Sequence, residues 1–479
     1  MGESKVITAT PEQVGIRDSS AHQLVVNAFA GTSKTTTCEM YASRRQNKRI
    51  LYIVFNKANQ IEAQARFPRH VKCATAHGLA YAKFGARYAH KLAGNLRATD
   101  VLAALNLGNN YVVAQGALNL LMKYMVSARD DIADVAADEE FSSTIAEVAR
   151  DLWKKMKDVN DSSVPMLHDG YLKLFQLSRP LLPYDIILLD EAQDTNPVLS
   201  SIISMQPCDK VFVGDVHQQI YLFRGAANAM AMLAGERHVL TRSFRFGADI
   251  ADVASRILHE KGEDGSIIGA GQDGAIDDID LDRPFAHICR TNAGIFSESI
   301  DAVRAGRKIG FVGGFKSYRF NMILDAHNLK FGGAIKDPYI RSFGDFSKLE
   351  TVAAETEDPE LKMLSKVVTE YGEEIPALVE KVRSSEVDIN QAKIIFMTAH
   401  KSKGLEFDQV RLANDFYAIS KYHDGRKAAQ SDSELANLDV EMNLLYVSAT
   451  RARRILEPND TIVESIINNG YVQKASHGI

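Results

Sequence analysis

A lysine followed by a threonine at the head of a helix, behind a loop of small residues, can grip a chain of phosphates. The segment Ala28-Phe29-Ala30-Gly31-Thr32-Ser33-Lys34-Thr35 has that form. The apolar run Leu24-Val25-Val26 precedes it, and a helix-like segment, Lys34 to Ala42, follows. At such a junction backbone N–H groups turn inward and offer partial positive charge to phosphate oxygens. Ala30, Gly31, Thr32, Ser33, Lys34, Thr35 and Thr36 are therefore the candidate nucleotide cradle. Lys34 would reach the β- and γ-phosphates, and the Thr35 hydroxyl would hold Mg2+. The segment departs from GxxxxGK[ST] at both glycines, which are Ala28 and Ser33 here. Glycine before the lysine lets the backbone approach phosphate without a Cβ. Serine is the smallest polar replacement, so the loop is expected to be usable but weakened. The competing reading is a strand–turn–helix in which Lys-Thr is incidental.

Two acids complete the chemistry. Asp190-Glu191-Ala192-Gln193-Asp194 follows the apolar run Ile186-Ile187-Leu188-Leu189. A buried strand of that kind delivers its next residue to the carboxyl edge of a sheet, where ligands bind in open α/β folds. Asp190 would hold Mg2+ through water. Glu191 would polarise an attacking water as general base. An isolated Asp-Glu is usually a solvated turn; behind a buried strand and downstream of a phosphate loop it points to ATP hydrolysis.

These residues need a parallel sheet to hold them, and the chain supplies the pattern. Short apolar runs, Ile50 to Phe55, Val71 to Ala74, Ile186 to Leu189, Val211 to Val213 and His238 to Leu240, alternate with helical segments. That alternation predicts a parallel sheet covered on both faces. A second series has a helix at Ala248 to Ile257, a strand at Ala286 to Cys289 and a helix at Ile295 to Ala305. It resumes with strands at Ile394 to Met397 and Val410 to Leu412 and a helix over about Glu441 to Arg453. The Gly-rich acidic stretch Gly262 to Asp282 reads as an exposed loop. Residues 86–164 and 315–388 lack the strand rhythm and read as mainly helical insertions. The expected layout is a first α/β unit at 1–85 and 165–242 and a second at 243–314 and 389–479, each interrupted once.

Composition adds bounds. The 479 residues are 46% hydrophobic and 24% charged, ordinary for a globular protein but too many for one core. The formal charge of −5 argues against a large positive surface that binds duplex indiscriminately. Cys38, Cys73, Cys208 and Cys289 lie far apart, with no CxxC, so neither a zinc or iron–sulfur site nor a disulfide framework is expected. No apolar run approaches the ~20 residues of a membrane span. Met1 to Gln13 has no apolar signal-peptide core. The expected location is the cytoplasm, or the nucleus in a eukaryote.

The DEAQD segment, taken with later ones in order from about residue 13 to 453, resembles superfamily 1 helicases of the UvrD/Rep type. The flavour is that of the helicase region of F-box DNA helicases and related phage or bacterial enzymes. The later segments are Gly214-Asp215-Val216-His217-Gln218-Gln219-Ile220-Tyr221-Leu222-Phe223-Arg224-Gly225, Ser243-Phe244-Arg245-Phe246, Thr398 to Phe407 and Ala449-Thr450-Arg451-Ala452. The two insertions match by position only. His168-Asp169-Gly170-Tyr171-Leu172 also resembles that branch, with no role attached.

The resemblance implies two RecA-like P-loop NTPase domains with parallel sheets, ATP and Mg2+ as ligands, and single-stranded DNA or single-strand/duplex junctions as substrate. It implies 3′→5′ movement. A monomer in the free state, and repair or replication proteins as partners, are further expectations. By the same resemblance Gln13 would read the adenine edge, which needs a donor and an acceptor together; a surface glutamine is the bland alternative. Gln218 would sense the γ-phosphate. Arg245 and Arg451 would contact it from the second unit, where a planar guanidinium suits a phosphoryl group in transfer. Arg453 would be a solvated neighbour. Gly404 and Glu406 would lie toward the nucleotide, with Glu406 accepting from the ribose. Asn56, Thr75, His77, Thr398 and His400 would lie toward DNA, although polar residues at strand ends also cap helices. Tyr221 and Phe223 would stack on bases, which grips a strand without reading sequence; core packing would place both rings on one side equally well. Two rival functions stay open: a translocase that strips proteins from DNA without efficient unwinding, and a nucleotide-sensing DNA-binding scaffold with a weakened loop.

Overall fold

The computed structural model describes residues 9–221, 230, 233–356 and 358–471. The chain divides into two compact units. The first comprises residues 1–28 and 33–240, and the second residues 29–32 and 241–479.

The first unit opens with helix α1 (Pro11–Asp18), strand β1 (Gln23–Ala28), α2 (Lys34–Ser43), β2 (Ile50–Val54), α3 (Lys57–Arg66), β3 (Val71–Thr75) and α4 (Ala76–Lys83). Four helices then form most of the first insertion: α5 (Ala98–Leu105), α6 (Tyr111–Val126), α7 (Ile132–Asp138) and α8 (Ser143–Lys157). A two-residue pair of strands, β4 (Leu92–Ala93) and β5 (Met166–Leu167), closes its base, where no strand was expected. The unit continues with α9 (His168–Leu177), β6 (Ile186–Leu189), α10 (Pro197–Ser204), β7 (Asp209–Gly214) and β8 (Glu236–Leu240).

The sheet order is β3-β2-β6-β7-β1-β8, with all pairs parallel. Successive residues of one strand serve opposite faces. Leu24, Val26, Tyr52, Leu188 and Val213 belong to one apolar cluster, and Val25, Leu51, Ile53, Ile187 and Phe212 to the other. Both faces are dry, which explains runs that are apolar without alternation. The first insertion has its own core around Leu121, Trp153 and Met156, which Tyr171 and Phe175 of α9 join.

The second unit has β9 (Arg242–Ser243), α11 (Ala248–Glu260), β10 (Ile268–Gly269), β11 (Ala275–Ile276), β12 (Phe285–Cys289), α12 (Asn292–Arg304) and β13 (Ile309–Phe311). Its insertion carries α13 (Asn321–Phe331), α14 (Pro338–Ser342), α15 (Phe346–Thr356), α16 (Pro359–Tyr371) and α17 (Ile375–Ser384). Then follow β14 (Ile394–Thr398), α18 (Ala399–Ser402), β15 (Phe407–Leu412), α19 (Ile419–Ala428), α20 (Asp432–Ala449), β16 (Ala452–Glu457) and α21 (Asp460–Ile462). The sheet runs β11-β16-β15-β12-β14-β13, again parallel in every pair. This insertion shares one core with the sheet, through Phe296, Phe320, Leu364 and Val382.

Two expectations are corrected. The stretch Gly262 to Asp282 is not all loop: β10 pairs with β9, and β11 adds an edge strand beside β16. Ala275 and Ile276 are too short an apolar run to stand out among their acidic neighbours. The helix expected to reach Arg453 stops at Ala449, with Thr450 as its C-cap and the Thr450 hydroxyl turned back to the Tyr446 and Val447 carbonyls. Arg453 lies instead on β16, half-exposed and paired with Asp408 at 2.8 Å. No helix among the described residues is long and apolar enough to cross a membrane.

Candidate functional site

The carboxyl edge of the first sheet gathers the phosphate-loop lysine and both acids. Ser33 ends the loop with φ 58 and ψ 45, in the left-handed region, and α2 starts at Lys34. Its carbonyl accepts from the Thr37 N–H and hydroxyl, at 3.0 and 3.1 Å. A glycine would take this backbone without cost, so the missing glycine is a real departure. Lys34 Nζ lies 3.6 Å from Glu191 Oε1, with both side chains largely covered.

Asp190 follows β6 and is anchored twice: its Oδ1 accepts from the Glu191 N–H at 2.9 Å, and its Oδ2 accepts from the Tyr52 hydroxyl. The Thr35 side chain lies near enough to act on the Tyr52 hydroxyl, which places it in the neighbourhood of the same acid. Burial first, and the neighbouring Glu191 carboxylate second, push the Asp190 carboxyl up to about 6. The Cys38 thiol behind them is pushed well up, by burial and then by Asp190. Thr35 and Asp190 are two hard oxygen donors, not a cage; among the described residues no group of three His, Cys, Asp or Glu could hold a metal ion. That donor set suits Mg2+, which takes one or two protein oxygens and fills the rest of its octahedron with water and phosphate.

Glu191 adopts φ 50, a strained turn that aims its side chain back at Lys34. Its Oε2 accepts from Gln193 Nε2 at 2.5 Å. Gln193 Oε1 in turn accepts from the Asp215 N–H at 3.1 Å. Asp215, fully buried at the end of β7, accepts from Gln218 Nε2 at 2.8 Å and from the His217 N–H at 3.0 Å. A continuous polar chain thus joins Glu191 to Gln218. Tyr52, Gln193 and Asp215 were not picked out from the sequence. A tyrosine at the centre of a buried strand was the available signal, since its hydroxyl needs a partner.

Gln13 is buried and occupied. Its Oε1 accepts from the Thr10 N–H at 3.0 Å, closing a capping box on α1, and its Nε2 donates to Thr37 Oγ1 at 3.1 Å. Asn56 and Thr75 cap α3 and α4, accepting from the N–H groups of Asn59 and Gly78. His77 Nε2 meets Asp169 Oδ1 at 3.1 Å, and its ring stands edge-on to Tyr171 at 6.0 Å. The His168–Leu172 segment therefore supports His77. Tyr221 is nearly parallel to the half-exposed ring of Phe55, with centroids 6.2 Å apart. Phe223 lies outside the described residues.

Within the second unit, Arg245 Nε donates to Glu406 Oε1 at 2.7 Å and its Nη1 to the Thr450 carbonyl at 3.0 Å. Arg451 is 1% exposed. Its guanidinium donates to the Val447 carbonyl at 2.7 Å, the Leu405 carbonyl at 3.2 Å and Thr450 Oγ1 at 3.1 Å. Gly404 has φ 85, which the turn between Ser402 and Leu405 requires. Thr398 caps α18 by accepting from the Lys401 N–H, and half-buried His400 lies on that helix. Ala30, Gly31 and Thr32 of the phosphate loop group with this unit. The Ala30 N–H donates to the Tyr446 hydroxyl at 2.9 Å, and the Gly31 carbonyl accepts from the Phe244 N–H at 2.9 Å. A Cβ on Gly31 would come within 2.4 Å of Ser243 Oγ, so this glycine is sterically required. Thr36 sits on the first turn of α2, and its hydroxyl accepts from Arg66.

Comparison with known proteins follows the same division. Residues 123–238 match the UvrD/REP helicase N-terminal domain, and residues 340–457 match the UvrD-like helicase C-terminal domain. The chain is 32% identical to F-box DNA helicase 1 of Gallus gallus over 474 residues, covering 90% of this chain and 46% of that protein. It is 30% identical to F-box DNA helicase protein 1 of Schizosaccharomyces pombe over 496 aligned residues, covering 92% and 56%. The chain spans about half the length of these curated relatives.

Proposed function

We propose that this chain, a member of the UvrD/Rep-type DNA helicase family, hydrolyses ATP and uses the energy to move 3′→5′ along single-stranded DNA and separate strands at junctions. The observation that carries the reading is the gathering of Lys34, Thr35, Asp190 and Glu191 at one sheet edge, with a hydrogen-bonded chain running on to Gln218. A scaffold that only sensed nucleotide would have no use for a water-activating acid held 3.6 Å from the phosphate-loop lysine.

In this reading Lys34 and the loop N–H groups hold the phosphates. Thr35 and Asp190 would hold Mg2+, whose charge screens the phosphate oxygens. Glu191 takes a proton from the attacking water, and Gln218 reports the γ-phosphate along the Gln193–Asp215 chain. Arg245 and Arg451 would stabilise the phosphoryl group in transfer only by exchanging their present partners, among them Glu406 and the Val447 and Leu405 carbonyls, an effect worth ~10³–10⁵ in rate for such arginines. Gln13 would recognise adenine by exchanging its present partners for the base edge. Gly404 and Glu406 would border the nucleotide. Asn56, Thr75, His77, Tyr221, Phe223, Thr398 and His400 would face the DNA strand. The protein would act as a monomer when free, in the cytoplasm or nucleus, beside repair or replication proteins.

The test is ATP turnover with and without single-stranded DNA, for wild type, Lys34→Ala and Glu191→Gln. The expected result is DNA-stimulated turnover in wild type. Glu191→Gln should lose ~10²–10⁴-fold while still binding nucleotide. Wild-type turnover indifferent to DNA would overturn the motor. A strand-displacement assay beside a protein-displacement assay then separates unwinding from stripping.

A further inference from the structure

Lys401 does work that none of these roles covers. It sits on α18, next to His400, but its ammonium points away along the root of the second insertion. That root is the segment after β13, where the chain leaves the sheet. Lys401 Nζ donates to the Ser317 hydroxyl, to the Ser317 carbonyl at 3.2 Å and to the Val312 carbonyl at 3.5 Å. It also lies 3.6 Å from the centre of the Tyr318 ring. Three acceptors and an aromatic face fill every direction an ammonium can use.

The segment so captured is built to turn. Gly313 and Gly314 have φ 81 and 78, and Lys401 Nζ stands 3.8 Å from where a Cβ on Gly313 would lie. Few side chains brace the backbone there, so its path is set by bonds from outside. The Phe315 N–H donates to Glu386 Oε1 at 2.9 Å, which ties the outgoing strand of the insertion to the returning one. The Val387 N–H donates to the Ile309 carbonyl at 2.9 Å. The Tyr318 hydroxyl donates to the Val312 carbonyl at 2.8 Å and reaches the Phe396 carbonyl on β14 at 3.2 Å. Among the contacts that reach this root, the Lys401 ammonium comes from the short helix that continues into Gly404 and Glu406.

We propose that Lys401 is a positioning residue: it ties the glycine root of the second insertion to α18, so that the insertion and the Thr398–Glu406 segment keep one fixed relation. The functional half rests on the reading of that segment given above. A strand pulled past Thr398 and His400 would then load the insertion directly, and a displaced insertion would disturb Gly404 and Glu406.

The experiment pairs hydrogen exchange with turnover in the full chain, for wild type, Lys401→Met, Lys401→Arg and Ser317→Ala. The amides of Val312, Gly314, Phe315 and Ser317 are all hydrogen-bonded, so their exchange reports the root. In Lys401→Met they should exchange at least ~10-fold faster, with β12 unchanged as the internal control for folding. Lys401→Arg should stay near wild type, because a guanidinium keeps both the donors and the ring contact. Ser317→Ala should fall between. DNA stimulation of turnover should drop about 5-fold in Lys401→Met, with the KM for ATP without DNA unchanged. Unaltered exchange in Lys401→Met overturns the tether. Faster exchange with full DNA stimulation overturns the positioning role. Loss of the proposed motor itself would be recognised separately, as a wild type that DNA fails to stimulate while the exchange difference persists.

Discussion

Ser33 and Asp190 show what single residues contribute and cost. Ser33 holds a left-handed backbone that favours glycine, at a cost of about 1 kcal/mol. Ser33→Gly should raise the urea-unfolding free energy by about that amount and leave ATP affinity equal or tighter. A variant no more stable than wild type would mean the serine is unstrained. Asp190 has a carboxyl pushed up to about 6 by burial and by Glu191. A folded-state value above the unfolded one, ~3.9, means the folded chain holds the extra proton between them. The stability linked to this group is complete below about pH 4 and lost as pH rises through about 6. Wild type should therefore lose unfolding free energy over that window relative to Asp190→Asn. If Asp190 holds Mg2+ as proposed, Mg2+-dependent nucleotide binding should strengthen over the same window. A flat pH profile in both measurements would remove the assignment.

Elements decide which variants are informative. Arg451 is wedged between the end of α20 and the turn before β15, donating to two carbonyls and a hydroxyl. Truncation would leave those acceptors bare and open a cavity, a cost on the order of 3 kcal/mol. Arg451→Ala is thus expected to unfold at a clearly lower urea concentration, whereas Arg245→Ala, nearer the surface, should not. If Arg451→Ala melts like wild type, the side chain is not the keystone of this helix end. Turnover of Arg245→Ala, and of Arg451→Lys, is accordingly the fair test of phosphoryl contact. The helix caps tell a similar story. Asn56, Thr75 and Thr398 each cap a helix that leaves a strand, which does not compete with a place on the DNA side, because a cap uses one side-chain oxygen and leaves the residue at the sheet edge.

At the scale of the molecule, a net charge of −5 means that the proposed hold on DNA would rest on local groups. Salt should then weaken single-stranded DNA binding with a modest slope, about −3 in log affinity against log salt if roughly four phosphates are met. A slope near −8 would mean an extensive basic track and a different binding mode.

Much of this architecture is legible in the order of residues. Continuous apolar runs such as Ile50 to Val54 declare a strand buried on both faces, and the residue after such a run must emerge at the sheet edge. That is why Lys34, Asp190 and Glu191 could be expected near one sheet edge, where they do lie. The insertions were visible as a loss of strand rhythm. What the order of residues could not carry is partnership across the chain. Tyr52 bonding Asp190, Asp169 facing His77, Gln193 bridging Glu191 to Asp215, and Lys401 capturing Val312 and Ser317 each join residues from separate elements. Hydrophobic period is a local property, written in every few residues. A hydrogen bond between distant side chains depends on strand order and register, which packing alone fixes.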